Sequence, residues 1–232
     1  MPSISEIKKI KSLQQKKFRR DHNAFIVEGE KMIQELLASD YEIESLYSII
    51  DASHYSLDGV HLISEKELGR ISALKNPNQA LAVVRIKKTN PLNVTSILLD
   101  GVRDPGNLGT IIRIADWYGI QQVICSVDTT DCYNPKVVQS TMGSLFRVNV
   151  VYADLKPYIS ESELPTFAAM MVGDEVNKSS GQFNLLMGSE SHGIRDGLEE
   201  LVTSKISIAR RGRAESLNVG VATGILLDRL IG

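Results

Sequence analysis

Three stretches of this 232-residue chain hold residues whose types and spacing suit chemistry rather than plain packing. The first is DGVRDPGNLGTIIRIA (100–115), an expected strand end, a Gly/Pro-rich turn and a helix start. Such a turn sets backbone N–H groups and the positive end of a helix at the C-terminal edge of a sheet, where ligands bind. Its glycines stand at 101, 106 and 109, which is not a GxGxxG dinucleotide fingerprint. No GKS or GKT follows, so it is not a phosphate loop either, and an unrelated nucleotide-binding enzyme is disfavoured. Asn107 reads as a helix N-cap or turn residue. Arg113, between Ile112 and Ile114, faces either solvent or a cleft.

The second stretch is LLMGSESHGI (185–194), where a strand runs into Gly188, Glu190, His192 and Gly193. Glycines there permit a close backbone approach to a flat ligand. Glu190 could equally be a first-turn helix carboxylate held by the helix dipole. His192 reads more simply as an exposed loop histidine. The third stretch is ISIARRGRAESLNVGVATGILL (206–227). Capping accounts for Ser216 and Asn218 at a helix start. It does not account for Gly220, Ala222 and Gly224, which imply that this helix lies very close to another element.

The elements that must hold these stretches follow from hydrophobic periodicity. Residues 24–29, 43–50 and 79–86 read as strands, 30–39 and 64–74 as helices, and Ser64 with Glu67 forms a capping-box pattern. Strand–helix alternation of this kind makes a small α/β unit. The polar segment 87–96, with Pro91, places a boundary between a domain at 1–90 and one at 91–232. In the second, 96–102, 122–127, 148–153, 166–172, 183–188 and 205–209 read as strands. Helices are expected at 110–119, 135–146, partly at 192–202, and at 215–231. The fold class is α/β, the second domain having a mainly parallel sheet.

Composition excludes several classes. With 43% hydrophobic and 23% charged residues the chain is ordinary globular protein, neither disordered nor fibrous. No apolar run reaches the roughly 18 residues of a membrane span, and the lysine-rich start has no apolar core to make it a secretory signal. Cys125 and Cys132 have no CxxC spacing and no neighbouring histidines, so they read as reduced cytosolic thiols, with no structural metal. Net charge is only −2, but basic residues cluster. Lys16, Lys17, Arg19 and Arg20 end an N-terminal basic stretch, and Arg210, Arg211 and Arg213 form a second group. Each cluster is either a phosphate-binding patch or a solvated face.

Taken together, the three stretches resemble the signature motifs of the SpoU/TrmH family, RNA ribose 2′-O-methyltransferases of the knotted SPOUT class. The first motif is carried by Asp100 and Asp104–Arg113, the second by Leu186–Ile194, and the third by Ile206–Ile208 with Glu215–Val219. The likeness is close over 95–232. It is looser at FIVEGEKMIQEL (25–36), which looks like the L30e-type substrate-binding domain these enzymes often carry. Two positions depart from the usual pattern, Ala209 for proline and Gly220 for serine or alanine.

The resemblance implies a trefoil-knotted catalytic domain, one of the exceptions to unthreaded chains, and S-adenosylmethionine as cofactor. Leu186, Gly188, Ile208 and Leu217 would contact that cofactor, with Gly188 kept bare by it. Arg113 would act on the ribose and phosphate, supported by Asn107, Glu190, Ser216 and Asn218. The two basic clusters then read as RNA contacts. The implied partners are RNA, ribosomal in preference to transfer RNA, and a second copy of the chain, in the cytoplasm, with no membrane and no metal. A catalytically silent RNA-binding protein with the same knot is the alternative, resting on Ala209 and Gly220.

Overall fold

A reciprocal capping box starts the first helix of the computed structural model, which describes residues 2–232. The Ser3 hydroxyl accepts from the Glu6 N–H and the Glu6 carboxylate accepts from the Ser3 N–H, opening α1 (Ile4–Ser12). Next come α2 (Lys16–His22), β1 (Ala24–Glu28), α3 (Glu30–Leu37), β2 (Ile43–Ser48) and β3 (His61–Leu62). The expected capping box of Ser64 and Glu67 opens α4 (Glu65–Ile71), and β4 (Ala80–Arg85) follows. These strands form a sheet in the order β1-β4-β2-β3. Strand β4 is antiparallel to both of its neighbours, so its five buried residues lie at the centre of the unit. Ile10 and Leu13 of the N-terminal segment pack into the same core as Ile26, Leu68 and Leu81.

The chain continues through β5 (Ser96–Asp100), α5 (Pro105–Trp117) and β6 (Gln122–Cys125). It then forms α6 (Pro135–Thr141), β7 (Asn149–Tyr152), α7 (Leu155–Glu161), β8 (Thr166–Glu175), β9 (Asn184–Gly188), β10 (Ser204–Ser207) and α8 (Val219–Ile231). Two compact units result. One comprises the chain to Lys88 together with Asp131–Phe146; the other comprises Thr89–Thr130 and Arg147–Gly232. The second unit holds a six-stranded sheet, β10-β8-β9-β5-β6-β7, in which every pairing is parallel. Buried strands of a parallel sheet should read as unbroken apolar runs, and ILL of β5 and LLM of β9 do so.

Several element boundaries differ from those expected. Helix α5 begins at Pro105, not at 110, because Asp104 accepts the Asn107 N–H as N-cap and proline suits the first helical position. Asn107 is therefore not the cap. The expected helix at 135–146 stops at Thr141, where Met142 takes a left-handed conformation with φ of 52°. Residues 192–202 form turns rather than a helix, and α8 starts at Val219, capped by Asn218, rather than at 215. Helices α1, α2 and α7 lie where periodicity gives no expected element.

Arg19 does not belong with the exposed basic residues around it. It is 2% exposed, and its guanidinium donates to Asp131 at 2.6 and 2.9 Å and to the Leu13 carbonyl at 2.8 Å. A phosphate could reach it only by displacing the Asp131 carboxylate, which is itself largely covered. Lys16, Lys17 and Arg20 remain exposed. In the first unit, the tilted rings of Phe25 and Tyr133 stand 4.6 Å apart between centroids, and Tyr41 meets Phe146 edge-on at 5.4 Å. Burial raises the Tyr41 hydroxyl pKa to about 12, so it stays protonated throughout the neutral range. Removing one partner of a buried ion pair costs about 3–5 kcal/mol, because the other charge is left unpaired. Arg19→Ala should lower stability by roughly that amount. Urea unfolding measures it, and a loss below about 1 kcal/mol would mean that the pair is solvated after all.

Candidate active site

The parallel sheet brings the first two motifs together. In the register of β5 and β9, Asp100 stands beside Gly188, so both strands deliver their loops to the same edge. From β9 the chain enters a tight turn in which Ser189 and Gly193 exchange backbone hydrogen bonds of 2.9 and 3.0 Å. The Ser189 hydroxyl also accepts the His192 N–H at 3.2 Å. Glu190 projects from this turn. There is no helix for it to cap, so the helix-dipole reading does not apply.

One amide joins the three motifs. The Asn107 side chain donates from Nδ2 to the Glu190 carboxylate and accepts at Oδ1 from Asn218 Nδ2 at 2.8 Å. The Asn218 oxygen meanwhile accepts the Gly220 and Val221 N–H groups at 3.0 and 3.3 Å, so it caps α8 as well. Glu190, Asn107 and Asn218 are thus one continuous chain of side chains, with Glu190 and Asn218 lying 83 and 111 residues after Asn107 in sequence. Ser216 is exposed and joins none of these bonds among the described residues. Arg113 lies on the exposed side of α5 and forms no ion pair with any described residue. A cation left without a carboxylate partner is available to a phosphate.

The close approach expected of the last helix holds at Gly220, while Gly224 has only ordinary contact. A Cβ built on Gly220 would stand 3.0 Å from the Thr110 methyl of α5, and one on Gly224 3.7 Å from Ile114. A Cβ at 220 would crowd the Thr110 methyl, so glycine eases the packing of α8 on α5 at this point.

The expected cofactor contacts divide. Leu186 is fully buried among Leu98, Ile124 and Ala168, so its side chain is core and lines no open surface. Ile208 is half-buried, and Leu217 is 48% exposed although large and apolar. Residues 208–217 belong to no helix or strand, which leaves their amide and carbonyl groups outside any ladder. Unspent backbone groups beside exposed aliphatic side chains fit an adenine ring and its edge. Gly188 has a nearer reason to be glycine than a cofactor: its Cβ would fall 2.3–2.6 Å from the Gly193 carbonyl group and the Ile194 nitrogen. Arg210, Arg211 and Arg213 are exposed on the loop leading to α8.

A second cluster escaped the sequence reading. The buried carboxylate of Asp100 accepts from the Arg195 N–H at 2.7 Å and from its guanidinium, while Arg195 also stands 3.3 Å from Asp128. Arg103 approaches Asp128 at 3.6 Å. Burial works to raise the Asp128 carboxyl, but the Ser126 hydroxyl and the charges of Arg195 and Arg103 outweigh it and hold it below the usual range. The hydrogen bond and charge of Asp100 push Arg195 further up against a smaller cost of burial. The four residues line a cavity of about 420 Å³ with Gly101, Ser189, Ser191 and His192. The available signal was Asp100 itself, a carboxylate ending an apolar strand, which demands a cation nearby. No group of metal-ligating side chains occurs among the described residues.

Residues 94–228 match the model of the SpoU rRNA Methylase family. The chain belongs to this family. Residues 5–82 match a second model, the MRM3-like substrate binding domain. The 23S rRNA (guanosine(2553)-2′-O)-methyltransferase RlmP of Bacillus subtilis is 32% identical, over 98% of this chain and 96% of that one. An RNA methyltransferase structure from Porphyromonas gingivalis, assigned to the TrmH family, superposes with a TM-score of 0.90 at 31% identity, over 100% and 98% of the two chains. The AdoMet-bound rRNA methyltransferase of Sinorhizobium meliloti superposes with a TM-score of 0.88 at 30% identity, over 99% and 95%.

For this SpoU-family chain, Gly188→Ala tests the reason for the glycine. The added methyl must push the 189–193 turn aside, so the melting temperature of the protein without ligand should fall by several degrees, as a loss of about 1–3 kcal/mol would require. An unchanged melt with abolished S-adenosylmethionine binding would instead assign Gly188 to the cofactor alone.

Proposed function

We propose that this protein transfers a methyl group from S-adenosylmethionine to a ribose 2′-hydroxyl in large-subunit ribosomal RNA. The observation that carries the reading is the Glu190–Asn107–Asn218 chain, which gathers all three motifs, with Arg113 further along the helix that carries Asn107. Ribosomal RNA is favoured over transfer RNA because the Bacillus subtilis relative, matched over nearly its whole length, is named for 23S rRNA.

The cofactor would be held by the backbone around Gly188 and 208–217 and by the side chains of Ile208 and Leu217. When bound, S-adenosylmethionine supplies a methyl group on a sulfonium whose leaving group is a neutral thioether, so the chemistry needs no Lewis acid. The chain's task is to align and polarise the hydroxyl. Arg113 holds the phosphate and ribose, since a guanidinium keeps its charge and serves as a donor rather than a base. Glu190, oriented by Asn107, accepts a hydrogen bond from the sugar. Asn218 fixes the start of α8, and Ser216 faces the incoming ribose. These residues would hold the hydroxyl in line with the methyl group that the bound cofactor would supply, and the hydroxyl proton would pass to solvent water. Fixing two reactants in line is itself a large share of such a barrier.

The N-terminal domain (1–90) binds structured RNA in this reading, as an L30e-like module. Lys16, Lys17 and Arg20 at one end of the chain, and Arg210, Arg211 and Arg213 at the other, meet phosphates. The catalytic domain (91–232) carries the trefoil knot and works as a cytoplasmic homodimer. The exposure of Trp117 at 85% and Val221 at 51%, on α5 and α8, supports a partner copy there. No helix among the described residues is long and apolar enough to cross a membrane.

Arg113→Ala should reduce methyl transfer by at least about 100-fold, the scale of losing one positioned electrostatic donor. S-adenosylmethionine affinity by calorimetry should stay within about two-fold, since the guanidinium is assigned to RNA rather than to the cofactor. A parallel loss of cofactor affinity would refute that assignment. Separately, replacing Lys16, Lys17 and Arg20 with alanine should flatten the salt dependence of RNA binding, the log–log slope dropping by about 0.7–0.9 for each phosphate no longer neutralised. An unchanged slope would make this stretch a solvated face.

A further inference from the structure

We infer that Arg195 is a positioning residue for the reaction: by gripping the Asp100 carboxylate it fixes the turn from which Glu190 reaches the ribose. This rests on the methyltransferase reading above and says what aims one of its groups. The chain leaves β9 at Gly188, whose register partner on β5 is Asp100. It passes through the Ser189–Gly193 bridge and returns at Arg195. There the Arg195 N–H donates to Asp100 Oδ2 at 2.7 Å, and its Nε donates to Oδ1 at 2.5 Å. Both feet of the 189–194 excursion therefore stand on one residue, the first beside its main chain and the second on its side chain. Glu190 projects from between them and meets Asn107.

The demand for this grip comes from burial. Asp100 is 1% exposed, and a buried carboxylate is costly unless a cation pairs with it. Both of its oxygens go to Arg195. The arginine has acidic neighbours on its other sides as well. One guanidinium nitrogen that bonds Asp100 also stands 3.3 Å from Asp128, and Asp196 follows in the lining of the same cavity. A phosphate approaching this guanidinium would meet those carboxylates. The Arg195 side chain is thus spent inside the protein although it is 52% exposed. Arg103, with a side chain 74% exposed and 3.6 Å from Asp128, is the cation of this lining that is open to RNA.

Other contacts keep the turn folded, and Arg195 sets its angle. Ile194 is buried in one cluster with Leu98 and Ile124, and the Ser189–Gly193 bridge closes the turn on itself. Apolar contact is non-directional, so it fixes how deep the second foot sits but not how the turn is rotated. A guanidinium bonded through two atoms to a carboxylate fixes angle as well as distance. Residues 190–193 are all exposed, so nothing packed over them corrects a rotation about the stem. A misplacement of about 1 Å in a reacting geometry can cost about 100-fold in rate.

The test measures methyl transfer by the full chain from radiolabelled S-adenosylmethionine to a 23S rRNA transcript. Arg195→Lys keeps a cation beside Asp100 and loses the planar fork. It should lower kcat by about 10–100-fold, with KM for RNA and Kd for S-adenosylmethionine within about two-fold of wild type. Glu190→Ala removes the group being aimed and should itself lower kcat by about 100-fold. In that background Arg195→Lys should cost less than about a further two-fold, because the two changes break one function. Asp100→Asn is the second variant. It keeps an acceptor for the Arg195 N–H and replaces the buried charge with a neutral amide, so it folds without the pair. It should reproduce both the kcat loss and the non-additivity with Glu190→Ala. Losses that multiply in the Glu190→Ala background overturn the proposal, since a merely structural residue weakens both enzymes alike. So does a rise in KM for RNA at unchanged kcat, the mark of a phosphate contact. Wild type that methylates no ribose, or a fully active Glu190→Ala enzyme, brings down the parent reading and the proposal with it, an outcome seen before any Arg195 variant is made.

Discussion

The arrangement depends on one primary amide. Asn107 has two donor hydrogens and one acceptor oxygen, and it turns the donor end to Glu190 and the acceptor end to Asn218. No carboxylate could do this, because it lacks the donor, and no hydroxyl is long enough to span two loops. Each neutral hydrogen bond contributes only about 0.5–1.5 kcal/mol net, and one to a charged group about 1.5–3. The network is thus too weak to assemble the loops by itself. It selects one arrangement from those that the sheet and helices have already brought within reach.

That prior work is done by apolar packing and by close backbone contact. The β5–β9 pairing fixes Asp100 beside Gly188, and the 188–193 turn then folds back so tightly that a methyl group on Gly188 has no room. Across the site, Gly220 lets α8 come to van der Waals contact with Thr110, which places Asn218 within reach of Asn107. The buried Asp100 carboxylate adds the one strong polar tie, holding both the backbone and the guanidinium of Arg195 at the far end of the second motif. Two bare glycines and one buried carboxylate thus set the positions that Asn107 then joins.

Much of this is legible in the sequence, and the reasons are local. Strands β1, β4, β5 and β9 carry unbroken apolar runs, the Ser64–Glu67 capping box announces α4, and the three motifs stand out as polar residues and glycines at strand ends. The misses have the opposite character. Arg19 looks like one more cation in a basic run, and only its pairing with Asp131, 112 residues away, buries it. Leu186 sits inside a motif yet its side chain belongs to the core, because β9 is covered on both faces of the parallel sheet. Residues 192–202 have helical spacing but are claimed by the Ser189–Gly193 bridge and the Arg195–Asp100 pair. Helices α1 and α2 are masked by their charge pattern, which suits phosphate binding as well as it suits a helix face. Local patterns reveal elements; pairings across a hundred residues are set by tertiary structure and have no local trace.

The same reasoning explains why the site can be both exposed and ordered. Glu190 and Asn218 are open to solvent and Asn107 is half-buried, so water competes with each bond. A site built from such bonds alone would fluctuate among many arrangements. Here each exposed residue stands within a few positions of a buried anchor. Asn107 precedes fully buried Leu108 on α5, Asn218 precedes buried Val219 on α8, and Glu190 follows β9 by two residues. The polar atoms thus stay wet, free to exchange water for a sugar or a phosphate, while their Cα positions are fixed by the core. Methyl transfer asks for such a division, since the hydroxyl must be held in line to a fraction of an ångström by groups that also have to release the RNA.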